Sequence, residues 1–191
     1  MYRVWRDTHL LLGLFFFVFV VMFGVSSLHF SHRGWFGSEP AETESTVAVD
    51  PGQASTPREL ARHLMEEQGY RGGLHDIRDT EGQIRFNISR IGTVHDVRYT
   101  RGAREAQVRT RVFPFMNMMT WMHATFGMHH EYAPHNVWGA LMFLTSVGLL
   151  ILGGTGLYLW FELRAERRIG AVLLFGNVVF GAGLIALLWI G

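Results

Sequence analysis

Three long apolar runs constrain this chain more than any other feature. Residues 8–28 are almost wholly apolar, with His9 near the start, and neither residues 137–161 nor residues 169–191 contain a charged side chain. About 20 apolar residues at 1.5 Å per residue match a hydrocarbon core of ~30 Å. A helix is the form in which a single run can satisfy its backbone polar groups within itself in lipid. The 49% hydrophobic content of the 191 residues is concentrated in these runs. The expected fold class is therefore a membrane α-helical protein with three transmembrane helices and a small α+β domain between helices one and two. Arg3 and Arg6 precede the first run, as they would in a secretory signal peptide, but GVSSLHF at 24–30 has no small-residue cleavage pattern. The run is predicted to be an uncleaved anchor.

Orientation follows from arginine placement. Arg3 and Arg6 precede span one, and the 162–168 loop between spans two and three holds Arg164, Arg167 and Arg168. Clusters of positive charge next to spans stay cytoplasmic. The spans then run out, in and out, leaving residues 29–136 and the C-terminus outside. The expected order is a first transmembrane helix (1–30), a linker (31–55), an external domain (56–112), an interfacial amphipathic segment (113–136), the second transmembrane helix (137–161), a cytoplasmic loop (162–168) and the third transmembrane helix (169–191). This predicts a multi-pass protein of a bacterial inner membrane with a periplasmic domain. Gly153, Gly154 and Gly156 in span two, and Gly176, Gly181, Ala182, Gly183 and Ala186 in span three, permit close helix contact. The expected partners are the lipid bilayer and a second membrane protein or another copy of the chain.

The formal net charge of +1 gives no basic surface for nucleic acid. Cysteine is absent, so histidine and methionine are the soft ligands at hand; all 17 basic residues are arginine. No serine lies in a nucleophile elbow, so hydrolytic chemistry is not expected. Residues 38–57, SEPAETESTVAVDPGQASTP, are acidic and turn-rich and read as linker. Thr56, Pro57 and Glu59 then form a cap, a first-turn proline and a capping-box acid. Leu60, Ala61, Leu64 and Met65 share one face of the predicted helix, which Gly69 ends. Ile84, Phe86 and Ile88 alternate with Arg85, Asn87 and Ser89, the period of a sheet covered on one face. Val97 with Tyr99, and Ala106 through Val112, repeat the pattern. Asn87-Ile88-Ser89 reads as a chance glycosylation sequon.

A helix and antiparallel strands, placed between a first span that opens His9-x-x-x-Gly13 and a second that ends TGLYLW at 155–160, resemble the PepSY-associated transmembrane family. His123 in its Trp-Met-His context before span two strengthens the resemblance. It implies an inner-membrane protein with a periplasmic PepSY domain. Larger members resemble haem-containing reductases of ferric siderophores. This chain has three spans and no flavin or nicotinamide motif, so the resemblance carries architecture further than activity.

A membrane haem b needs axial ligands on both faces of the iron at one depth. His9 and His29 are twenty residues apart, about 30 Å along a helix, and cannot share one haem. The outer side holds His29, His32, His123, His129, His130 and His135. His29 with His123 is the first candidate ligand pair, and His9, His32 and His130 are weaker candidates. A second candidate metal group, suited to Cu(I), is His129, His130 and His135 with Met119 and Met122. Glu131 beside His129 or His135 matches no zinc spacing. The same methionine- and aromatic-rich stretch also reads as an interfacial helix, and Trp5, Trp35, Trp121, Trp138 and Trp160 as interfacial anchors. The expected function is a non-catalytic accessory subunit of a larger membrane complex. The alternative is a small haem b protein passing electrons toward external ferric iron.

Overall fold

A computed structural model describes residues 1–37, 39–163, 165 and 167–190. Ser38 of the predicted linker, Arg164 and Glu166 of the arginine-bearing loop, and Gly191 lie outside the described residues. In chain order the elements are α1 (Tyr2–Ser31), β1 (Ala41–Ala48), α2 (Pro57–Glu67), β2 (Gly73–Asp79), β3 (Gln83–Arg90), β4 (Thr93–Thr100), β5 (Glu105–Val112), α3 (Phe115–Ala124), α4 (Ala133–Glu162) and α5 (Arg167–Ile190). Two compact units result: residues 1–18 with 144–191, and residues 19–143.

Helices α1, α4 and α5 are each long and apolar enough to cross a membrane. In the first unit, α1 packs on α4 where Gly148 admits the Phe16 ring: a Cβ at 148 would stand 2.1 Å from Phe16 Cε2. Trp5 and Tyr158 meet nearby, with ring centroids 5.7 Å apart. The Trp160 indole lies over Gly170, where a Cβ would fall 1.9 Å from Nε1. Nothing in α5 is buried.

The second unit is built on an antiparallel five-stranded sheet in the order β1-β5-β4-β3-β2. α2 begins as its sequence dictates: Thr56 Oγ1 accepts from the Glu59 amide, and Glu59 Oε2 accepts from the Thr56 amide. Its buried face, Leu60, Ala61 and Leu64, packs on Ile84, Phe86 and Ile88 of β3, Val97 and Tyr99 of β4, and Ala106 and Val108 of β5. Fully burying each large apolar side chain contributes roughly 1.5–3 kcal/mol. Tyr99 Oη donates to the Ala103 carbonyl at 3.0 Å, so its hydroxyl is satisfied within the core.

Two strands lay outside the sequence reading. β1 occupies residues 41–48 of the stretch expected to be linker and pairs with β5 along its whole length. Val47 is its one buried side chain, which is why no alternation marked it. β2 pairs with β3 through a register shift between His75 and Arg78, where Asp76 takes a positive φ of 52°. That bulge breaks the two-residue period the sequence would otherwise show.

Candidate functional site

In the second unit the C-terminal end of α1 meets α3 through a buried serine. Ser26 Oγ donates to the Phe23 carbonyl at 3.0 Å and lies 2.7 Å from His123 Nδ1. The hydroxyl therefore holds the His123 ring through Nδ1, and Nε2 is the ring nitrogen that Ser26 does not engage. Phe23 and Phe30 flank the His123 ring at 4.6 and 5.9 Å. A histidine oriented through one ring nitrogen by a hydroxyl has the arrangement used by imidazole ligands.

His29 lies one turn beyond Ser26 and is 2% exposed. Its ring meets Phe36 edge-on at 5.4 Å, and its Nδ1 is buried with no hydrogen-bond partner among the described residues. A lone buried imidazole nitrogen is costly unless something else engages it. Phe23, Ser26 and Phe30 follow a three-and-four spacing that puts them on the face toward His123, and His29 is turned about 100° from Phe30.

The first unit repeats the same hydroxyl chemistry at the other end of α1. His9 Nδ1 lies 2.9 Å from Thr155 Oγ1 and 3.2 Å from the Leu152 carbonyl, while Thr155 Oγ1 donates to that carbonyl at 3.0 Å. A carbonyl only accepts, so in its contact with Leu152 the His9 ring donates from Nδ1. Gly156 permits the approach, since a Cβ there would be 3.1 Å from His9 Cε1. Thr155 and Gly156 of the TGLYLW motif thus seat the histidine of the His-x-x-x-Gly opening.

The remaining candidate histidines make other contacts. His135 is buried, and its Nε2 accepts the Ile91 amide at 3.2 Å. Its ring meets His130 and Tyr132 edge-on at 5.3 and 5.2 Å. The His130 amide donates to Asn136 Oδ1, and Asn136 Nδ2 donates back to the His130 carbonyl, each at 2.8 Å. Together with Met118, whose side chain covers Gly92, these contacts hold the β3–β4 turn. His32 stacks on Trp35 at 4.1 Å. His129 is exposed, and Met119 and Met122 are half-buried on α3, where the Met122 carbonyl accepts from Trp138 Nε1 at 2.8 Å. Among the described residues no three His, Asp or Glu side chains are grouped to hold a metal ion.

Sequence reasoning singled out the histidines and missed their hydroxyl partners. A serine or threonine inside an apolar span, three residues after a carbonyl it can reach, was the available signal.

No curated protein and no solved structure matches the chain. A family profile, the PepSY-associated TM region, matches residues 1–162, a stretch that takes in α1, the whole α2–sheet layer and the TGLYLW motif; the chain belongs to this family of multi-pass membrane proteins.

Proposed function

We propose that the chain is a non-catalytic subunit of a bacterial inner-membrane complex, with its arginine-flanked span ends cytoplasmic and its sheet domain periplasmic. The observation that carries this reading is the state of α5. It has no buried residue, yet Asn177 sits mid-helix and lines a groove of about 490 Å³ with Gly153 and Gly156 of α4 and Gly170 of α5. An exposed amide at the depth of the hydrocarbon core is unfavourable, and small residues around it admit another backbone closely. A partner's helix supplies both the hydrogen bond and the packing. Interhelical hydrogen bonds of this kind contribute about 0.6–2 kcal/mol, so Asn177→Leu is expected to weaken assembly by roughly threefold to thirtyfold. Photo-crosslinking from position 174 in whole membranes tests this. A discrete adduct reduced by Asn177→Leu supports the subunit reading, and no adduct from any position on that face removes it.

A second reading, a haem b electron carrier, is favoured by His123, held through Nδ1 by Ser26, and by His29, whose buried Nδ1 has no hydrogen-bond partner among the described residues. Those two side chains would hold the group, which would supply one-electron transfer. Their part is to present imidazole nitrogens in an apolar surrounding, with Ser26 orienting the His123 ring. A reduced-minus-oxidised spectrum of the purified protein with about one haem per chain, lost in His123→Ala, supports it. A featureless spectrum rejects it.

A further inference from the structure

One face of the sheet is covered by α2; the other carries a row of unpaired arginines. Register places Arg78 of β2 opposite Arg85 of β3, and Arg85 opposite Arg98 of β4. Neighbouring strands lie about 4.8 Å apart, so three guanidinium stems stand side by side across ~10 Å. Like charges directly opposite one another destabilise a sheet. Elsewhere on this face the arginines are matched: Arg109 pairs with Glu42 and Arg111 with Asp96. Among the described residues no carboxylate pairs with Arg78, Arg85 or Arg98; the Arg85 Nε donates to Gln83 Oε1 at 2.8 Å. All three are exposed and line an open cavity of about 750 Å³.

We propose that this row is a binding site for an acidic protein segment, read by guanidinium–carboxylate pairs. Arginine presents a planar fork that matches a carboxylate bidentately, and three forks in line exceed what a single small anion engages. A uniformly anionic lipid surface fits poorly, because Glu44 and Asp76 line the same cavity and would repel it. A polypeptide can set acids against the row and neutral or basic groups against those carboxylates. The proposal deepens the subunit reading by naming the chemistry a partner brings. Its test involves no partner span, so either idea can fail alone.

The test uses the full-length protein in detergent micelles and a fluorescein-labelled decapeptide of alternating Glu and Ser, read by anisotropy. Binding that weakens steeply with salt, and falls at least tenfold in R78Q/R85Q/R98Q but not in R62Q on α2, is the expected result. The triple variant removes a repulsive row, so its melting temperature should hold or rise. R98Q alone gives a smaller loss of the same kind and serves if the triple variant misfolds. Equal binding by wild type and these variants overturns the proposal. So does displacement of the peptide by inorganic phosphate at matched charge concentration, or tighter binding to phosphatidylglycerol vesicles than to the peptide. Those results assign the row to a free anion or to lipid.

Discussion

Ser26 of α1 and His123 of α3, 97 positions apart in the chain, are joined by a hydrogen bond of 2.7 Å inside an aromatic clasp. Ser26→Ala leaves His123 Nδ1 without its hydroxyl partner, at a cost of about 1–3 kcal/mol for a group withdrawn from water. A melting temperature lowered by several degrees in detergent is expected, with Ser26→Thr close to wild type. An unchanged melt for Ser26→Ala would show that the pair contributes nothing to holding the helix end.

Glycine at 139 is required by backbone. A Cβ there would stand 1.9 Å from the Gly127 carbonyl oxygen, which cannot rotate away as a side chain can. Gly139→Ala therefore has to displace the loop before α4, and a loss of at least 1–3 kcal/mol is expected. Gly154→Ala, with nothing within 4 Å, should melt no lower than wild type and is the matched control.

Leu64 is fully buried between α2 and the sheet. Leu64→Ala removes apolar contact and leaves a cavity, for an expected loss of about 2–5 kcal/mol. Amide hydrogen exchange in β3, β4 and β5 should accelerate together, since these strands share that core. Acceleration confined to α2 would mean the helix is peripheral to sheet stability.

His95 makes the sheet domain sensitive to acid. Its ring is buried against Tyr70, stacked at 4.4 Å, with Nδ1 2.9 Å from Thr110 Oγ1. Burial pushes its pKa below the ordinary 6.5, nearby Arg90 adds to the effect, and Asp96 opposes it. As pH falls below about 6.5 the unfolded chain takes up a proton that the folded chain resists, so stability declines; above 6.5 this contribution is flat. Thermal melts from pH 8 to pH 5 should show the decline in wild type and a shallower one in His95→Gln. Equal slopes would place the acid sensitivity elsewhere.

Much of the architecture was written in one dimension. The spans follow from charge-free runs whose length matches a bilayer, and α2 from a capping box followed by an apolar face. The central strands follow from strict alternation at Ile84, Phe86 and Ile88. The edge strands did not show because their pairing is decided by neighbours. β1 buries only Val47 and is held by the hydrogen-bonding edge of β5, and the bulge at Asp76 erases the period of β2. The histidines split the same way. Spacing alone put His9 and His29 at different depths.

Which atom each imidazole uses, and for what, depended on groups far off in the chain. Thr155 is 146 positions from His9, and Ile91 is 44 from His135. Periodicity and charge act along the chain and so can be read from sequence. A hydroxyl that meets a histidine far off in the chain acts through space, and only the packed structure decides it.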